Sequence, residues 1–199
     1  MFKVGARIGA GLIGAAAMAL LAVGPAAAQE KAPSDSSVRT FMKYAWALLP
    51  EKFTPPSGKT IVVDKKKPKE VEVPLDVARE AVQVGYYSAH AQMCNLMEEQ
   101  QANYDTLMLR QRSANKWSDQ QLLYIQKLHQ ATVMIMTGKV TFVEEEGKQK
   151  PVQKEAKTNP VGACTDDKRQ QVKAQIAAYI NAAPAAKTAE PVNKASAKK

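Results

Sequence analysis

The chain has 199 residues, room for one domain of ordinary size or two very small ones. Lys and Arg outnumber Asp and Glu by 28 to 19, a formal charge of +9, and apolar residues reach 45% while aromatics make up only 6%. Part of that apolar share lies in the opening segment, and nothing later is long and apolar enough to span a bilayer, so a multi-span membrane protein is excluded.

Residues 1–28 read as a secretory signal peptide. Lys3 and Arg7 supply a positive start, Ile8 to Val23 is free of charge, and Gly24-Pro25 breaks any helix. Ala26-Ala27-Ala28 offers the small residues a signal peptidase requires, which places cleavage before Gln29. No Cys follows the apolar run, so lipid anchoring is not expected, and no transmembrane anchor would remain after cleavage. The expected location is periplasmic or secreted.

In the mature chain, Asp35-Ser36-Ser37 offers N-caps for a first helix. Its apolar residues Val38, Phe41, Met42, Ala45, Leu48 and Leu49 recur at helical spacing, and Pro50 ends it. Ile61 to Val63 and Val71 to Val73 are short β-branched runs flanking Lys65, Lys66, Lys67, Pro68 and Lys69, which predicts a hairpin over about 60–73 with a lysine-rich tip. From Leu75 to about Arg112 there is no Pro and one Gly, Gly85. The stripe Val77, Ala81, Val84, Ser88 and Ala91, continued by Met97, Tyr104, Leu107 and Met108, predicts one long helix with a bend or break, the bend placed near Gly85.

Ser118 with Gln121 three residues on forms a capping box, and Trp117 before it can staple onto Leu122. The helix it opens carries Leu122, Ile125, Leu128, Thr132 and Ile135 as a buried stripe and stops at Gly138. The connection from Gln111 to Trp117 is short, so this helix should lie antiparallel to the long one. Val140 to Val143 fits a strand, and 144–160, with Gly147, Pro151 and Pro160, reads as a mobile loop. Thr165 caps a last helix with the stripe Val172, Ile176, Tyr179 and Ile180. The Ala, Pro and Lys composition of 184–199 predicts a disordered tail. The expected fold is mainly α: a single helical domain over 29–183. It would be a small bundle of a long antiparallel helix pair with N- and C-terminal helices and a minor β-hairpin.

Cys94 and Cys164 are the only cysteines, and an even pair in an exported chain predicts a disulfide. It would close a loop of about 70 residues, a constraint worth about 4 kcal/mol on the chain-entropy account. Cys94 would stand near the middle of the long helix, and Cys164 directly before the Thr165 cap.

The catalytic motifs H-E-x-x-H, G-x-S-x-G and G-x-x-x-x-G-K are all missing. Cys94 and His90 stand four apart and could pair as nucleophile and base, but a bridged Cys94 has no thiolate to give. Glu98 and Glu99 diverge on a helix, and Glu144 to Glu146 read as solvated surface. The expectation is a protein that is not an enzyme. His90, Met93 and Met97 fall at i, i+3 and i+7, close to one helix face, and Met134 or Met136 could face them from the antiparallel helix. That set would suit copper, or a Met/His haem ligation, although Met at such spacing is ordinary core filler and no C-x-x-C-H haem attachment is present. No cofactor is therefore expected, with copper or haem as the alternative.

Lys65, Lys66, Lys67 and Lys69 are candidates for binding an anionic surface. In an exported protein the polyanions within reach are lipid headgroups, lipopolysaccharide or acidic wall polymer. A solvated lysine cluster that protects a strand edge is the plainer reading. No aromatic stands among these lysines in sequence, so a nucleic-acid platform is not expected. The segment Trp117-Ser118-Asp119-Gln120-Gln121 resembles, over five residues, the L-T-x-x-Q motif of a family of small periplasmic chaperones, with Trp for Leu and Ser for Thr. It occurs once, and a capping box produces the same spacing, so the resemblance assigns no family. The function expected is the binding or scaffolding of a cell-envelope component or client protein.

Overall fold

The computed structural model describes residues 32–56, 58–153 and 164–182; the expected signal segment and tail lie outside them. Six helices and two antiparallel strand pairs follow one another in the described residues. Helix α1 (Asp35–Leu48) is capped by Ser34, one residue ahead of the candidates read from sequence, whose hydroxyl accepts from the Ser37 amide. The chain then forms β1 (Lys52–Phe53) and β2 (Ile61–Val62), which pair with each other.

This corrects the hairpin expected over 60–73. Ile61 pairs with Phe53, and the run before Val73 is instead a single helical turn, α2 (Pro68–Val71), started by Pro68 at its first position. Lys65, Lys66 and Lys67 thus sit in the turn between β2 and α2, and Lys69 lies within α2. Val63, Val71 and Val73 are all buried, so these β-branched residues reach the core from a turn and a short helix rather than from a ladder.

The long helix expected from Leu75 is two helices, α3 (Leu75–Met93) and α4 (Met97–Ser113), with the break ten residues after Gly85. Asn95 adopts the left-handed conformation at φ 56°. Around it the Leu96 amide donates to the Ala91 carbonyl at 2.8 Å and the Asn95 amide to Gln92 at 3.2 Å. This is a Schellman stop, completed by the apolar contact of Ala91 and Leu96 in one buried cluster. Asn followed by an apolar residue was the available signal. The two helices run back along each other: Asn103 meets Val84 and Ser88, and Gln111 meets Glu80.

Helix α5 (Asp119–Met136) opens with the capping box of Ser118 and Gln121 and ends at Gly138, φ 71°, as its sequence implies. It packs against α1 and α3 and also touches α4. Its buried face is therefore wider than one stripe, taking in Leu123, Tyr124, Ala131 and Val133 beside Ile125, Leu128 and Thr132. Tyr124 is fully enclosed, and its hydroxyl donates to the Met42 carbonyl of α1 at 3.0 Å.

The first part of the expected loop over 144–160 is also ordered as strand. β3 (Val140–Glu145) and β4 (Lys148–Gln153) form a ribbon closed by Glu146 and Gly147, both at positive φ, a turn whose twist matches the strands. Phe142 stacks on Tyr44 of α1 with ring centres 4.1 Å apart, which docks the ribbon on the bundle. Helix α6 (Asp166–Asn181) is capped by Thr165 and buries Val172 and Ile176. The mainly helical bundle with minor antiparallel strands is the architecture expected. No helix among the described residues is long and apolar enough to cross a membrane.

Candidate functional site: a basic turn and the polar ties behind it

The turn carrying the lysines is built by Asp64. Its carboxylate accepts from the Lys66 amide at 2.9 Å, its carbonyl from the Lys67 amide at 3.1 Å, and its own amide donates to the Gln120 side chain at 3.1 Å. The four lysines then divide. Lys65 turns inward: its Nζ donates to the Trp46 carbonyl at 2.7 Å and lies 4.7 Å from the centre of the Trp46 ring. Burial lowers its pKa from the ordinary lysine value, with the Glu51 charge opposing that effect. Lys67 pairs with Glu70 at 3.3 Å. Lys66 and Lys69 are exposed.

Lys65 alone is drawn inward and fastens the turn to the end of α1, while Lys67, though paired, stays exposed with Lys66 and Lys69. The fold also supplies the aromatic that the local sequence lacks, since Trp46 lies under Lys65. On α1, Arg39 and Lys43 are exposed one turn apart, leading toward Trp46. Sequence reading missed these two, although their i, i+4 spacing on a capped helix marks one face.

The disulfide joins Cys94 and Cys164 with a Cα separation of 5.2 Å. Cys94 is the C-cap of α3, a correction to its expected mid-helix place, and Cys164 stands directly before the α6 cap. Around the bridge the Arg169 guanidinium donates to the Cys94 carbonyl at 2.7 Å, and Lys173 pairs with Glu99 at 3.1 Å. The far end of α6 is held by Arg110 of α4, which donates to the carbonyls of Tyr179 and Ala182, each at 2.6 Å, and lies over the Tyr179 ring. Tyr179 in turn donates to Glu80 at 2.8 Å; burial, then the Glu80 charge, raises its pKa.

The helix break removes the premise of the Met/His set. Met93 closes α3 and Met97 opens α4, so the i, i+3, i+7 spacing does not place them on one helix face, and Met97 is 59% exposed. His90 lies edge-on to Tyr86 at 4.4 Å. Among the described residues no group of three or more His, Cys, Asp or Glu side chains converges as a metal-binding set.

A different histidine makes the closest approach to a catalytic arrangement. His129 Nε2 lies 2.9 Å from Ser88 Oγ, and Asn103 donates to the same oxygen at 3.0 Å and to the Val84 carbonyl at 2.9 Å. Burial lowers the His129 pKa to about 4, which keeps the ring neutral, and its tautomer sets which of His129 and Ser88 donates. Ser88 is fully enclosed, so its oxygen cannot meet a substrate carbonyl. The group ties α3, α4 and α5 together. Sequence reading placed Ser88 in an apolar stripe and left His129 without a role, because the three residues meet only through helix pairing.

No family model, curated protein or solved structure matches this chain. What fold and site define is therefore a class alone: a disulfide-tied, mainly helical bundle presenting a basic turn and helix face.

Proposed function

We propose that this chain is an exported, non-enzymatic protein that binds an anionic component of the cell envelope through the turn after β2 and the outer face of α1. The observation that supports this most is the exposure of Lys66 in the turn and Lys69 in α2, beside the point where Lys65 pins the turn to the end of α1, the helix that also exposes Arg39 and Lys43. Exposed cations on rigid elements attract anionic lipid headgroups or wall polymer at a range set by the Debye length, about 10 Å at 0.1 M salt. The apolar segment Ile8 to Val23 followed by Ala26-Ala27-Ala28 supports export, and the enclosed Ser88 supports a binding rather than a catalytic role.

The test is sedimentation of the mature chain with vesicles of phosphatidylglycerol and phosphatidylcholine at low and at high salt. Binding should be present at low salt, lost at high salt, and weakened by K66E/K69E and further by adding R39E/K43E. A chain that ignores anionic vesicles at low salt, or binds them equally after charge reversal, refutes the reading. N-terminal sequencing of protein from its native host should begin at Gln29.

A further inference from the structure

A cavity of about 310 Å³ opens between the start of the described chain, α1, α3 and α5, on no part of the basic turn. Val82 and Thr132 form its buried floor, and Phe41, Tyr86, Tyr87 and Met136 its half-buried walls. We propose that it is a binding site for a small neutral aromatic molecule bearing one hydroxyl group, a phenol in chemical class.

The walls are held apart from outside. Phe41 is braced edge-on by Tyr44 at 6.0 Å, and Tyr44 is itself stacked on Phe142 of the ribbon. Tyr86 is braced by His90 at 4.4 Å. Pro33, at the rim, is fixed by Arg79, which donates to its carbonyl at 3.2 Å and pairs with Asp35. Rings pinned by neighbours outside the cavity do not fold in to fill it, so the space is formed before a ligand arrives, which reduces the cost of binding. Its volume is at the small end for ligand pockets, about 300–1,000 Å³, which suits a one-ring compound.

The lining sets the ligand's chemistry. None of the described residues that line the cavity is charged, which disfavours an ionic guest. Three aromatic rings and the Met136 thioether favour a flat ring over an alkyl chain, through edge and sulfur contacts. Gln83 donates to the Tyr87 hydroxyl at 3.0 Å. That leaves the Tyr87 proton and the Gln83 Oε1 as adjacent donor and acceptor, engaged by no other described residue. A phenolic hydroxyl both donates and accepts, and so satisfies the two together.

The experiment titrates the mature chain with p-cresol, 4-methylcyclohexanol and hexanoate, following methyl resonances by NMR. For p-cresol, saturable shifts are expected at Met136, Val82 and Thr132, with tighter binding than for either comparator. Tyr87→Phe should weaken p-cresol by about five- to tenfold, the worth of one neutral hydrogen bond. Met136→Trp, which fills the mouth, should abolish binding without lowering the melting temperature. The proposal is overturned by no saturable shift at millimolar p-cresol, by equal or tighter binding of a comparator, or by wild-type affinity in Met136→Trp.

Discussion

Replacing Gly85 with Ala tests the central packing of the bundle, because propensity and packing make opposite predictions. In a helix interior Ala is favoured over Gly by about 1 kcal/mol. At this position the new Cβ would stand 2.7 Å from Thr132 Cβ, 3.0 Å from the His129 carbonyl oxygen and 3.1 Å from Thr132 Cγ2. Ordinary carbon contacts lie at about 3.5–4.0 Å, so α3 and α5 would have to part by roughly 1 Å. The nearest atoms are backbone or one bond from it, and a rotamer change relieves only the third. Overpacking of this kind costs about 1–3 kcal/mol and occasionally more. Separating the most extensive helix contact in the fold belongs at or above the upper end. The net expectation is a loss of about 2 kcal/mol, which for a domain of this size lowers the melting temperature by roughly 4–8 °C. Thermal and urea unfolding followed by far-UV circular dichroism measure it. Adding Thr132→Ala, which removes Cγ2 but keeps Cβ, should restore only part of the loss. A Gly85→Ala chain that melts at or above the wild type would show that the helices are not in this close contact.

Reduction of Cys94–Cys164 should loosen α6 before the rest, because that helix buries only Val172 and Ile176 deeply; faster amide exchange confined to 166–181 is the expected result, and uniform loss of protection would contradict it. Thiol titration of unreduced, denatured protein should find no free thiol. Arg110→Ala should cost about 1.5–3 kcal/mol, since its charged donors serve the last carbonyls of α6, and the added exchange should concentrate at Tyr179 to Ala182. The folded-state pKa of His129, lowered to about 4, lies below the unfolded value of about 6.5. The neutral ring is therefore favoured on folding. Its contribution is complete above pH 6.5 and is lost as pH falls toward 4, by about 3 kcal/mol in all. His129→Gln should remove that part of the acid sensitivity, which urea titrations at pH 7 and pH 4.5 would show; an unchanged difference between the two pH values would refute it.

What local chemistry alone determined was where α5 begins and ends and where α6 begins. The Ser118–Gln121 box, the Gly138 stop, the Thr165 cap and the Cys94–Cys164 pairing needed only neighbouring residues, or the simple arithmetic of two cysteines. The stripe Val77 to Ala91 was legible for the same reason, since one buried face repeats at the helical period. What needed the tertiary structure was every feature made by residues distant in sequence. Ile61 to Val63 looked ready to pair with Val71 to Val73, yet β2 found Phe53 and Lys52 on its other side, because Pro68 starts a helical turn and the buried valines need only reach the core. Gly85 read as a bend, but a glycine in a helix is equally a place where another backbone comes close, and only the position of Thr132 separates the two. Asn95 carried the stop that divides α3 from α4, and missing it misplaced Cys94 and put Met93 and Met97 on one face. The division of four equal lysines into one half-buried against Trp46 and three exposed, one of them paired with Glu70, follows from where α1 ends. Charge is a property of the sequence, but its availability to a partner depends on which neighbours the fold brings within hydrogen-bonding distance.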